Sequence, residues 1–234
     1  MSGLIQLLLL LSCLVRLGDS GPSRDHSSQS TPAVNQGAGS HDSDLELAQS
    51  YAPVFYFHAD EIYFPQPVDV LTGITRMRQN VHLWFDATIM NLPAIQDLFT
   101  TPGDQNYFLD QWFGDTGSSE LTNYSSHQAI YESTLSPRAG GPGPVVYAHV
   151  ARQEDPDYIT IQYWIFYFYN NWFNKHEGDW ELVQVILSAN AQPQWTVYSQ
   201  HHGGVRRSWV TTPKEGDSHP VVYVARGSHA NYYA

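Results

Sequence analysis

Residues 158–187 read YITIQYWIFYFYNNWFNKHEGDWELVQVIL. Two apolar runs, YITIQYWIFYFY (158–169) and ELVQVIL (181–187), enclose a charged cluster, KHEGDWEL (175–182). Both runs are rich in the β-branched and aromatic side chains that suit a pleated surface, so each is expected to be a strand. If the second strand begins inside the cluster, alternation puts Asp179 and Glu181 on one face with Val183, Val185 and Leu187. Trp180, Leu182, Gln184 and Ile186 then line the other face. Both faces are largely apolar, as expected of a central strand covered on each side. The strand rise sets the two acids about 6–7 Å apart at Cα.

Outward from this pair the signal stays mainly β. VFYFH (54–58), EIYFP (61–65), PVVYAHV (144–150), QWTVYSQ (194–200), SWVTT (208–212) and PVVYVAR (220–226) are further strand candidates. Gly- and Pro-rich breaks such as PRAGGPGP (137–144) and HHGGV (201–205) separate them. LELAQSYAP has apolar residues at helical spacing and would stop at Pro53, and a second helix is expected around Pro93–Phe99. The expected fold is an antiparallel β-sandwich with a few short helices, over residues 45–234.

The N-terminal part reads differently. Leu4 to Val15 form an apolar core too short for a transmembrane helix, and residues 1–21 read as a signal peptide. Residues 22–44 are rich in Ser, Gly, Pro and Asp and read as a disordered linker. The single cysteine, Cys13, lies in the leader, so the mature chain would have neither a disulfide nor a thiol nucleophile. The expected location is secreted or otherwise exported, with no transmembrane segment in the mature protein. A formal net charge of -12 argues against nucleic-acid binding, which needs a basic face. It also disfavours direct docking to anionic lipid unless a cation bridges the two.

Two adjacent acids at the mouth of an apolar strand repel each other and resist desolvation. A cation would relieve both effects. Gly178 permits a sharp turn that brings His176 beside the acids. His176, Asp179 and Glu181 are therefore a candidate ligand set for a divalent ion (calcium, magnesium, manganese or zinc), with Asn170 or Asn171 adding a carbonyl oxygen. The competing reading is a structural ion pair, with Arg226 holding the acids. Three polar segments follow aromatic strands and are candidates to converge on the same end: FHADEIYFP (57–65), SQHHGG (199–204) and ARGSHANYY (225–233). They supply His201, His202, Arg226, Ser228 and His229 as candidate ligand contacts. No nucleophile-elbow G-x-S-x-G surrounds Ser228. Side-by-side acids also do not flank a bond as glycosidase carboxylates do.

KHEGDWE, YSQHHGG, PVVYVARGSHANYY and YAPVFYFHADEIYFP resemble the signature blocks of the vacuolar protein sorting-associated family numbered sixty-two, in the family's order, from about Leu45 to the chain end. The resemblance implies that the family domain runs on past the SHANY block and that the chain is a piece of it. It also implies vacuole association as an alternative location. HEGDWE, preceded by an aromatic strand and an Asn pair, is similar to the GHRHDWE heptapeptide of the necrosis- and ethylene-inducing peptide-like proteins. Those are secreted β-sandwich cytolysins that bind a divalent cation and recognise sphingolipid headgroups. On that pattern His176, Asp179 and Glu181 fall on the family's first histidine, aspartate and glutamate, and an upstream aspartate falls near Asn170 or Asn171. The chain departs from it at Glu177, where the family has arginine, and at Gly178, where it has histidine.

The function expected is cation binding for recognition of a lipid or glycan headgroup. A metal-dependent hydrolase and a trafficking factor with a purely structural acidic cluster are the alternatives.

Overall fold

In the computed structural model the two runs of 158–187 form one antiparallel hairpin, β7 (Tyr158–Asn170) and β8 (His176–Ser188). The structure describes residues 4–7, 37–82, 85–91, 93, 97, 106–111, 124–152, 155–201 and 203–234. Most of the leader, Cys13, the linker up to residue 36, most of the stretch 93–99 and His202 lie outside the described residues.

The hairpin is the centre of a five-stranded antiparallel sheet in the order β10-β9-β8-β7-β6, with β6 Val146–Ala151, β9 Pro193–Gln200 and β10 Gly203–Ser208. A second sheet runs β1-β2-β12-β11, with β13 beside β12. Its strands are β1 Leu4–Leu7, β2 Val54–His58, β11 Lys214–Glu215, β12 His219–Val224 and β13 Asn231–Tyr232. The β2–β12 pair is parallel, with Val54 opposite Val221. Phe55, Phe57, Val222 and Val224 of this sheet pack on Ile161, Tyr163, Ile165, Tyr167, Val183, Val185, Leu187 and Tyr198 of the hairpin sheet in one buried cluster. Burial of each such side chain contributes about 1.5–3 kcal/mol before the entropy of ordering is subtracted. The mainly β, sandwich-like fold matches the expectation.

The inner face of β8 is the one alternation identified: Glu181, Val183, Val185 and Leu187 are all buried. The outer face differs from the expectation. Trp180 and, on β7, Trp164 are exposed, and they form an edge-to-face pair at 6.4 Å. The outer face is therefore only partly covered here, since Phe166 opposite Trp180 is buried.

EIYFP is extended but joins no sheet, because side chains satisfy its backbone. Glu61 Oε1 accepts from the N–H groups of Ile62 and Tyr63, and the Phe64 N–H donates to Tyr131 Oη. SWVTT is likewise a 3-10 turn at Trp209–Thr211 rather than a strand. A third sheet, β4-β3-β5, was not anticipated; β3 is Thr75–His82, β4 Phe85–Asn91 and β5 Tyr107–Gln111. Its central strand is mostly polar, and cross-strand pairs tie it to β5: Arg76 and Arg78 both donate to Asp110.

Helix α1 spans Gly37–Ser50, so it starts inside the expected linker. Arg152 donates to Asp44 Oδ1, and Ala48 is buried in the core, so tertiary contacts order a stretch whose composition favours none. The helix ends before Pro53, as expected. Helix α2 (Tyr124–Ile130) continues through a π turn at Tyr131–Leu135 and lays His127 and Tyr131 over the end of β7.

Candidate functional site

The site lies at the turn end of the β7–β8 hairpin, where Asn170 faces His176, Tyr169 faces Glu177 and Tyr167 faces Asp179. Gly178 sits at φ +65°, in the left-handed region that only glycine enters freely. The kink turns His176 back, so that its Nε2 lies 3.4 Å from Asp179 Oδ1. Its Nδ1–H donates to the Asn174 carbonyl at 2.8 Å.

The other oxygen of Asp179 points inward. Oδ2 accepts from His229 Nδ1 at 2.8 Å and from Asn170 Nδ2 at 2.9 Å. His229 is fully buried and stacks on Tyr167 with centroids 3.8 Å apart and planes 2° from parallel. The tight turn after β12 delivers it. His229 itself sits at φ +56°, its N–H donating to Ala225 O, while Ala225 N–H donates to Ala230 O. Its Nε2 lies 3.8 Å from Glu61 Oε1, ion-pair distance but too long for a hydrogen bond. Glu61 Oε2 accepts from Gly227 N–H at 2.7 Å, tying the segment after β2 to the turn after β12.

Electrostatics follow from this sandwich of one imidazole between two carboxylates. Burial works to raise the Asp179 carboxyl, but hydrogen bonds from His176 and His229 and the charge of His229 outweigh it and hold the group well below its usual range. Burial raises Glu61 too, and His229 with the Gly227 and Tyr63 N–H groups brings it below its usual value. For His229, burial favours the neutral ring, yet the two carboxylates prevail and raise its pKa.

Glu181 is treated differently. It is 6% exposed, and its bonded partner is the Ser199 hydroxyl, which Asn231 Nδ2 also reaches at 3.3 Å. Burial pushes its carboxyl up; the Ser199 hydrogen bond opposes this, the Asp179 charge adds to it, and the result is about 7. Glu177 points the other way. It accepts from His127 Nε2 at 2.9 Å and from the Gln111 N–H, and burial leaves its carboxyl raised. His127 stacks on Tyr169 at 4.6 Å, a second histidine–tyrosine layer two residues further along the hairpin.

His176, Asp179, Glu181 and Asn170 are thus at one end of the sandwich, and the polar segments do converge there through Glu61, Ser199 and His229. Asn170 offers its amide nitrogen to Asp179 and turns its oxygen to the Trp172 N–H. Asn171 Oδ1 takes the Lys175 ammonium, so neither amide oxygen faces the acids. Arg226 does not hold the acids either. It is exposed and lies 3.7 Å from Asp60, which removes it as their counter-ion. His229 has no solvent face with which to touch a ligand, contrary to expectation. His201 is exposed at the β9–β10 turn, and Ser228 is buried with its carbonyl 3.4 Å from Asn170 Nδ2. Among the described residues, no group of three His, Cys, Asp or Glu side chains stands ready to hold a metal ion.

Two features of this end were not anticipated. The hairpin tip carries exposed aromatics, Trp172 at 53% and Phe173 at 90%. The turn at residues 59–62 also separates two hollows. One of about 190 Å³ lies against Trp172 and Arg226, and one of about 640 Å³ lies against Tyr131 and Arg138. Adjacent Trp and Phe between strands were a visible signal of the tip. The hollows depend on contacts between segments far apart in sequence and had none.

No family model and no curated protein matches the chain. The likeness to the vacuolar sorting-associated family therefore remains one of sequence blocks. A solved structure to which the chain is similar is Necrosis and Ethylene inducing Protein 2 from the causal agent of cocoa's witches' broom disease, at 18% identity and a TM-score of 0.32. The match covers 37% of this chain and 43% of that one. At that level it carries no argument about function. Among the described residues, no helix is long and apolar enough to cross a membrane.

Proposed function

We propose that the mouth of the β7–β8 hairpin binds a divalent cation through Asp179 Oδ1, His176 Nε2 and Glu181, and uses it to hold a lipid or glycan headgroup. The observation that carries the reading is the arrangement of His176. Its Nδ1–H is committed to the Asn174 carbonyl, so a neutral ring presents a lone pair from Nε2 toward Asp179 Oδ1. A histidine that ligates a metal is commonly oriented in this way. The 3.4 Å between these two atoms suits neighbouring donors of one ion; bonds of about 2.1–2.4 Å place adjacent donors about 3–3.4 Å apart. Glu181, in no ion pair among the described residues, completes the set by rotating its side chain. His229 and Asn170 hold Asp179 from behind without using Oδ1. Exposed Trp172 and Phe173 beside the mouth suit contact with a headgroup-bearing surface.

A second reading has its own support. With the His176 ring protonated on both nitrogens, Asp179 accepts from three side chains, which is what a purely structural cluster requires. Thermal unfolding with added calcium, magnesium, manganese or zinc, then with chelator, separates the two. The cation reading expects a rise in midpoint that chelator reverses and Asp179→Asn removes. An unchanged midpoint with every metal refutes it and leaves the structural cluster. Vesicle flotation with and without chelator then tests the headgroup.

A further inference from the structure

We propose that the small hollow beside the hairpin tip is a separate binding site for a zwitterionic phospho-ammonium headgroup, with Arg226 taking the phosphoryl group and Asp60 and Trp172 taking the ammonium. The hollow measures about 190 Å³ and is lined by Asp60, Glu61, Ile62, Asn171, Trp172, Arg226 and Gly227. That is below the range of about 300–1,000 Å³ that encloses a whole small ligand, so it fits a terminal group on something larger.

Its floor is built rather than incidental. Gly227 N–H donates to the buried Glu61 carboxylate, and Gly227 O accepts from the Asn171 N–H at 2.8 Å. Gly227 is at φ +72°, and a Cβ there would meet Asn171 O at 2.7 Å, so the two backbones touch where only glycine allows it. The floor carries little uncompensated charge, because the Glu61 carboxylate faces His229 as well as three backbone N–H groups.

The rim carries the recognition chemistry. Arg226 and Asp60 approach only to 3.7 Å and remain 56% and 66% exposed, a loose pair that a ligand can part. His58 Nδ1 lies 3.7 Å from the same Asp60 oxygen. A guanidinium is suited to a phosphoryl group, and a carboxylate beside an indole is suited to an alkylated ammonium. One ligand carrying both charges replaces the loose ion pair without leaving a charge unmatched. Phe173, 90% exposed on the adjacent tip, favours a bilayer as the source over a free solute.

The site does not use the cation at Asp179, so the test is run throughout in chelator, and failure of either reading leaves the other standing. Intrinsic tryptophan fluorescence is titrated with phosphocholine, choline chloride and inorganic phosphate, and sedimentation is followed with phosphatidylcholine and with phosphatidylglycerol vesicles. Phosphocholine is expected to bind more tightly than either half, and phosphatidylcholine vesicles to sediment the chain where phosphatidylglycerol vesicles do not. Arg226→Gln and Asp60→Asn are each expected to weaken phosphocholine binding about tenfold, and Trp172→Phe to weaken it less than Trp172→Ala. All these side chains are exposed, so an unchanged thermal midpoint confirms that the variants fold. Binding of free phosphocholine without vesicle sedimentation assigns the site to a soluble phospho-ammonium compound. No binding of phosphocholine, equal binding of choline alone, equal sedimentation by phosphatidylglycerol, or insensitivity to the Arg226 and Asp60 variants overturns the proposal.

Discussion

Replacing Glu181 with glutamine should stabilise the protein at alkaline pH, although it alters a buried, hydrogen-bonded residue. Among the described residues, Glu181 is the acid at the hairpin mouth with no imidazole hydrogen-bonded to it. Its carboxyl is displaced from 4.5 to about 7 by burial and by the neighbouring Asp179 charge, net of the Ser199 hydrogen bond. A folded-state pKa above the unfolded one means that the native state binds the proton more tightly. Below pH 4.5 both states are protonated and the residue carries no penalty. Between 4.5 and about 7 the unfolded chain releases its proton first, and stability falls as pH rises. Above about 7 the penalty is complete, at most about 3 kcal/mol from a displacement of this size. Glutamine keeps an oxygen for the Ser199 hydroxyl and never ionises.

The assay is urea unfolding of wild type and Glu181→Gln in chelator from pH 4 to 9. The two should be near equal at pH 4, and the variant should be about 1–3 kcal/mol more stable at pH 8, a midpoint several degrees higher on heating. Titrating in a divalent cation at pH 8 should raise the wild type and leave the variant unmoved. A stability difference that is flat with pH, or a variant less stable at pH 8, refutes the view that this carboxylate is short of a counter-charge.

Three other perturbations test the surrounding contacts. His229→Ala leaves Asp179 and Glu61 without the imidazole between them and should cost about 3–5 kcal/mol in urea unfolding near pH 6. Because the pKa of His229 is raised, its contribution is complete below the unfolded value near 6.5 and lost as pH rises through the folded value, so the gap to wild type should narrow in alkali. Gly227→Ala forces a side chain into a left-handed conformation and against Asn171 O, and should lower stability by at least ~2 kcal/mol in thermal unfolding. His127→Ala removes the ring stacked on Tyr169 and the hydrogen bond to Glu177, and should cost ~2–4 kcal/mol in urea unfolding, read at pH 7 where an unpartnered Glu177 is most costly.

The hairpin was legible from sequence because strand alternation is a local property: residues 181, 183, 185 and 187 face inward whatever packs on them. The return of His176 to Asp179 was legible for the same reason, since Gly178 lies between them in the chain. The segments around Glu61, Ser199 and His229 were legible as candidates to converge on the acids, but their pairing was not. Glu61 and Asp179 meet across the buried ring of His229, which reaches them through a turn that needs Gly227. Strand 75–82 is mostly polar and carries no apolar stripe to announce it, and its pairing with 107–111 is what places both in a sheet.

The strand register also explains why the three acids of the hairpin end differ. Each stands opposite a residue of β7: Glu177 opposite Tyr169, Asp179 opposite Tyr167, Glu181 opposite Ile165. Where the opposite residue is tyrosine, its ring is a flat platform on which a histidine stacks, His127 on Tyr169 and His229 on Tyr167, and each imidazole donates to the acid beside it. Ile165 offers no such platform, and among the described residues the Glu181 carboxylate is bonded to the Ser199 hydroxyl. The charges of His229 and His176 offset its burial only in part, so an added cation or a proton would supply the rest. The cation reading and the displaced carboxyl are two answers to that one gap, and the glutamine variant at pH 8, with and without metal, tells which of them fills it.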